Sequence, residues 1–199
     1  MTIKSMVFDH DGVQSAAPLE QRLNVFALVI YIPGALGGFL DDLRRLLVPH
    51  YNPHAHVSVL PPRSLSVSWK TASEQARNLI EPCPPFEVQL GKIRVFDETD
   101  VIYIDVDGGA RELEQMHYEM NKGPLEFEEP FKYHPHITLA QEIDHACLPE
   151  LHALAERSWR EFSGPRSFRA ERAVFVQNTV QNVWLDLAEY SLGSVAAKF

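Results

Sequence analysis

The spacing of hydrophobic and polar positions changes several times along the chain, and each change predicts an element. Residues 24–32 (NVFALVIYI) are a β-rich apolar run ending at Pro33-Gly34, which predicts a buried strand. Leu36, Phe39, Leu40, Leu43, Leu46 and Leu47 then recur at helical spacing up to Val48, with Asp41, Asp42, Arg44 and Arg45 on the wet face. A short strand is predicted over His56–Leu60, stopped by Pro61-Pro62, and a polar helix over Ala72–Ile80, stopped by the Pro82–Pro85 cluster. Strands Phe86–Phe96 and Val101–Asp107 flank the polar turn Asp97–Asp100. Gly108-Gly109 opens a helix to about Asn121, ended by Gly123-Pro124. A strand follows over His136–Gln141 and a helix over Leu148–Phe162, closed by Gly164-Pro165. Two last strands, Phe168–Gln177 and Val183–Glu189, meet across a turn at Asn178–Asn182. Residues 1–22 have weak periodicity and a polar end, and are read as an arm; residues 23–199 are read as one domain.

A shift of 80 positions exposes a repeat. Pro53-His54-Ala55-His56-Val57-Ser58-Val59 falls over Tyr133-His134-Pro135-His136-Ile137-Thr138-Leu139, and the helices before and after each copy correspond. Side chains at i and i+2 of a strand point the same way. His56 and Ser58 therefore share one face, as do His136 and Thr138, while Val57, Val59, Ile137 and Leu139 point to a core. If a pseudo-twofold axis brings the two copies together, four polar side chains line one cleft.

That set suits phosphoryl chemistry. An imidazole with its ordinary pKa near 6.5 changes charge close to neutral pH, so one histidine can accept a proton while the other donates one. The hydroxyls of Ser58 and Thr138 can donate to nonbridging phosphate oxygens, where charge grows in the transition state. The scheme needs neither metal nor cofactor.

The segments HVSV and HITL resemble the paired H-x-[ST]-x motifs of the two-histidine phosphoesterase superfamily, which includes bacterial 2′-5′ RNA ligases and RNA-end cyclic phosphodiesterases. His134-Pro135-His136 also looks like that family, and the lobe order follows it over about residues 23–190. The resemblance implies an α+β fold of two lobes related by a pseudo-twofold duplication. Antiparallel sheets would line a central cleft, with helices outside. It implies His56 and His136 as the acid–base pair, Ser58 and Thr138 on the phosphate, and substrates such as 2′,3′-cyclic phosphates or 2′-5′ linkages. RNA ends, small cyclic nucleotides and ADP-ribose cyclic phosphate all fit. Ser58 stands where threonine is commoner in the family and keeps the hydroxyl.

Other readings stay open. His54 and His134 each sit two residues before a motif histidine, so four imidazoles could hold zinc or another divalent ion in a metal-dependent hydrolase. No carboxylate lies at ligand spacing in either motif, and Pro53 and Pro135 can break the strand before the outer pair. A non-catalytic nucleotide- or RNA-binding module would keep the same residues. Asp9-His10-Asp11-Gly12 resembles the D-x-D-G nucleophile loop of haloacid-dehalogenase-type phosphatases, but only a short run precedes it, and it is read as a polar turn. Tyr133, Arg63, Lys132, His54 and His134 are candidate substrate contacts; Tyr51 and Phe131 are read as packing. His10, His50, His117, His145 and His152 are read as ordinary surface or core residues.

Composition narrows the setting. The formal charge is −9, with no basic stripe of the kind that drives nonspecific nucleic-acid binding, so a nucleic-acid substrate would be held locally, at one phosphate. No run approaches the ~20 apolar residues of a membrane span, and the start does not read as a secretory signal. Cys83 and Cys147 form neither a disulfide framework nor a paired zinc site and are read as small apolar fillers. These features lead to the expectation of a cytoplasmic monomer.

Overall fold

The computed structural model of the protein describes residues 21–49 and 54–194. The expected arm lies outside these residues except for Gln21 and Arg22, and Arg22 already opens the first strand. The D-x-D-G segment and Tyr51 also lie outside them.

The elements run β1 (Arg22–Tyr31), α1 (Gly34–Leu47), β2 (His56–Arg63), α2 (Trp69–Ile80), β3 (Phe86–Phe96), β4 (Val101–Gly108), α3 (Ala110–Met120), β5 (His136–Ala140), α4 (Leu148–Glu161), β6 (Ser167–Ala170), β7 (Arg172–Thr179) and β8 (Trp184–Ser191). They form two antiparallel four-stranded sheets, ordered β2-β1-β7-β8 and β5-β4-β3-β6. The duplication is visible in that order. The units β1-α1-β2 and β4-α3-β5 match, and each motif strand, β2 or β5, lies at a sheet edge.

The strands that follow trade places. After α2 the chain does not return to the first sheet but enters the second as β3, beside β4. After α4 it crosses back as β7, beside β1. The apolar run 168–177, expected as one strand, is therefore two: β6 pairs with β3, the chain turns at Glu171, and β7 pairs with β1. Each lobe is thus completed by chain from the other half of the repeat.

One continuous core joins the lobes. It takes Leu28 and Ile30 of β1, Val57 and Val59 of β2, Ile102 and Ile104 of β4, and Ile137 and Leu139 of β5. Leu36, Leu40, Leu43 and Leu47 of α1 and Leu113, Met116 and Met120 of α3 pack against them. Leu46 was expected on the stripe of α1 but is exposed, because the buried residues 36, 40, 43 and 47 already fill the face turned to the sheets. α1 packs on β5 and α3 on β2, so each helix supports the other lobe's motif strand.

Two local expectations change. β2 runs through Pro61 and Pro62 to Arg63 instead of stopping at Leu60. An edge strand tolerates proline, because a missing N–H on its outer side breaks no ladder bond. α2 starts at Trp69, where Ser68 accepts the Thr71 N–H and caps it. Gly109 caps α3 with φ 82°, and a Cβ there would lie 2.5 Å from the Glu87 carbonyl oxygen, so the crossing of β3 behind α3 requires glycine. Cys83 packs against the core, whereas Cys147 is exposed in the turn before α4 and fills nothing. Among the described residues, no helix is long and apolar enough to cross a membrane.

Candidate active site

The two motif strands are alike residue by residue. From His54 to Leu60 and from His134 to Ala140 the side chains run exposed, buried, half-buried, buried, half-buried, buried, buried. The half-buried positions are His56 and Ser58 in one strand and His136 and Thr138 in the other. Val57, Val59, Ile137 and Leu139 are fully buried and hold those faces outward from the core. β2 and β5 lie next to one another, and the charge of His136 is felt at His56, so the fold brings the two motif strands together.

Each strand also carries a β-bulge in the same place. Val29 pairs with Ser58 but Leu28 with Leu60, so Val59 is the extra residue. Tyr103 pairs with Thr138 but Ile102 with Ala140, so Leu139 is the extra residue. A bulge bends its strand and re-aims the neighbouring side chain. Here it follows directly after each hydroxyl residue.

The imidazoles are tethered identically. His56 Nδ1 lies 2.8 Å from the His54 carbonyl oxygen, and His136 Nδ1 lies 2.7 Å from that of His134. A carbonyl only accepts, so Nδ1 carries the hydrogen in both rings. Nε2 is the ring nitrogen that this tether leaves untouched. The outer histidines therefore serve through their backbone carbonyls. His54 holds this position with φ 80°, a left-handed conformation uncommon for a residue with a side chain. Backbone anchoring adds to this: the N–H of Ala55, between the two histidines, donates to Asp41 Oδ1 of α1 at 2.5 Å.

The surroundings of the two rings differ. Across the ladder from His56 stands Tyr31, whose hydroxyl donates to Asp186 Oδ1 at 2.7 Å. Burial, and then Asp186, raise the Tyr31 phenol above its ordinary value. Across from His136 stands Asp105, which accepts from His134 Nε2 at 2.8 Å and pairs with Arg94. Phe96 and Tyr103 stack at 3.8 Å and meet the His136 ring edge-on at 5.0 and 5.4 Å. Burial first, then the Arg44 guanidinium and His136, push His56 down to about 4 against the opposing pull of the His54 carbonyl and Asp41. Burial also lowers His136, as does the charge of His134, while the His134 carbonyl and Asp105 act upward. Both shifts favour the neutral imidazole in the free protein.

Several candidate contacts have other engagements. Arg63 is 3% exposed. Its guanidinium donates to Asn121 Oδ1, to the Leu125 and Pro61 carbonyls, and to Glu129, so it locks a loop. The Tyr133 hydroxyl donates to the Ser58 carbonyl at 2.7 Å, and burial keeps that phenol protonated. Lys132 is exposed, as are His54 and His134. No group of three or more histidine, cysteine or carboxylate side chains among the described residues converges as a metal site would require. Beyond Tyr31 a cavity of about 330 Å³ opens, lined by Arg169, Glu171, Arg172, Val174 and Glu189. Tyr31 and Asp105 were not recognisable as site residues in the sequence. They become so only as ladder partners of the motif histidines.

Two facing H-x-[ST] strands at the edges of duplicated antiparallel sheets define a phosphoesterase of the two-histidine type. The family model of the 2′-5′ RNA ligase superfamily matches residues 32–182, and the chain belongs to that superfamily. It is similar to "Putative phosphoesterase OB1230" of Oceanobacillus iheyensis, 27% identical over 115 residues, a match spanning 53% of this chain and 66% of that protein. The like-named Bcer98_0945 of Bacillus cytotoxicus is 28% identical over 123 residues, 60% of this chain and 70% of that one. Among solved structures, E. coli LigT complexed with NADP+ has the same fold at a TM-score of 0.57 and 17% identity, with 87% of this chain and 98% of LigT covered. TT0787 of Thermus thermophilus gives 0.56 at 16% identity, covering 85% of this chain and 98% of that one.

Proposed function

We propose that this protein opens a 2′,3′-cyclic phosphate or a 2′-5′ phosphodiester at an RNA end or on a nucleotide, without a metal ion, by acid–base catalysis from His56 and His136. The observation that carries this reading is the matched Nδ1 tether, which gives both rings the same tautomer and frees both Nε2 atoms for proton transfer. Asp105 opposite His136 favours the protonated ring, and Arg44 near His56 favours the neutral one. On that ground His56 is the base and His136 the acid. His56 Nε2 takes a proton from water as the water oxygen attacks phosphorus. One P–O bond of the cyclic ester breaks, and His136 gives its proton to the leaving ribose oxygen. A phosphomonoester and a free hydroxyl result. The hydroxyls of Ser58 and Thr138 donate to the nonbridging oxygens.

Neutral rings in the free protein are compatible with this cycle. The arriving phosphodiester is an anion, and an anion beside an imidazole favours its protonated form. Substrate thus recruits the proton that His136 later donates.

The test is a panel of 2′,3′-cyclic nucleotides, RNA ends with cyclic phosphate, 2′-5′ dinucleotides and ADP-ribose cyclic phosphate. Wild type is assayed beside the His56→Ala/His136→Ala double variant, with and without EDTA. Turnover of at least one compound by wild type, lost in the double variant and indifferent to EDTA, is the expected result. Loss with EDTA and recovery with zinc would replace this reading with the metal-dependent one.

A further inference from the structure

We infer that Tyr133, supported by His117, is a positioning residue that sets the spacing between the two catalytic motifs; this rests on the acid–base reading above. β2 is the edge strand of its sheet, and the bulge at Val59 opens a gap in its ladder with β1. Two side chains from the other half of the repeat fill that gap. Tyr133 donates its hydroxyl to the Ser58 carbonyl at 2.7 Å, and His117 of α3 donates Nδ1–H to the Val59 carbonyl at 2.9 Å. Their rings lie parallel, 3.9 Å apart at 1°. Glu129, 3.7 Å from His117 Nε2 and paired with buried Arg63, closes the support from behind.

Tyr133 immediately precedes His134, whose carbonyl tethers the His136 ring. Ser58 lies two residues beyond His56 on the same face. The Tyr133–Ser58 bond therefore ties one motif to the other by a single hydrogen bond across the two lobes. Because β2 has no strand on its outer side among the described residues, the sheet ladder does not fix this separation. A phosphate gripped from both sides requires it fixed, since a misplacement of about 1 Å can cost ~10²-fold in rate.

The experiment compares wild type, Tyr133→Phe and the exposed-site control Tyr118→Phe, with His56→Ala as the catalytic reference. Turnover of the best compound from the panel and the NMR titration of the His56 ring are both read. Tyr133→Phe keeps the stacked ring and removes only the hydroxyl. It should lower kcat ~10-fold with KM within ~2-fold, because positioning is lost and substrate affinity is not. The His56 midpoint should rise by ~0.5 unit or more, because a loosened cleft admits water and moves the rings apart. A residue that only stabilised the fold would lower the melting temperature and leave the midpoint unmoved. An unmoved midpoint therefore overturns the tie, whatever the turnover. If wild type and His56→Ala turn over every compound alike, the acid–base reading falls, and the titration still decides on the tie by itself.

Discussion

Asp105 stands directly across the β4–β5 ladder from His136, and it is the carboxylate that favours the charged form of that ring. Replacing it with asparagine keeps the shape and removes the charge. His136 should then lose its proton at lower pH. The alkaline limb of kcat/KM, which reports the free protein's acid, should move down, and kcat/KM at pH 7 should fall ~3- to 10-fold. Superimposable pH profiles for Asp105→Asn and wild type would remove Asp105 from the mechanism.

Loss of either motif imidazole should be severe. His56→Ala and His136→Ala should each reduce turnover at least ~10²-fold, the low end for general acid–base catalysis. Ser58→Ala and Thr138→Ala should act more mildly, as a loss in kcat/KM from weaker transition-state binding. Steady-state kinetics on the same cyclic phosphate checks all four. Near-normal rates in both histidine variants would end the mechanism.

The half-buried His56 also links stability to pH. Its folded value of about 4 lies below the 6.5 of an unfolded chain, so the unfolded state binds more protons between these values. The stability contribution is complete above pH 6.5 and is lost as pH falls through 4. The shift corresponds to about 3 kcal/mol at most. Urea denaturation of wild type and His56→Asn at pH 7 and pH 4 tests this: the variant should lose less stability on acidification. Equal losses would mean that His56 titrates normally.

Arg63 and Glu129 form an ion pair whose side chains are 1% and 12% exposed. Arg63→Ala would leave a nearly buried carboxylate without its partner and should destabilise the protein by about 3–5 kcal/mol. Chemical denaturation measures it directly. A change under ~1 kcal/mol would show that the loop at 121–129 does not depend on this guanidinium.

Much of the candidate site's arrangement was legible because it rests on strand periodicity and repetition. His56 with Ser58 and His136 with Thr138 share faces by the rule of alternation alone. Apolar residues between them then had to point inward, as Val57 and Ile137 do. The candidate contacts Arg63 and Tyr133 could not be placed in this way. Both are polar residues near a motif, and only their partners distinguish a ligand contact from a structural bond. Arg63 spends its donors on a loop remote in sequence, and Tyr133 spends its hydroxyl on a backbone carbonyl 75 positions away.

The amino-acid order alone determined that there are two matching lobes and which faces of their motif strands are polar, because those properties follow from local spacing. Tertiary structure decided the rest. It placed β3 and β7 in each other's lobes, continued β2 through its prolines, bulged both motif strands after the hydroxyl residue, and set Tyr31 and Asp105 across from the imidazoles. Those outcomes depend on which edges and carbonyls find partners across long stretches of chain. Local spacing constrains a residue's own strand and face, and it carries no information about what the fold brings to the other side.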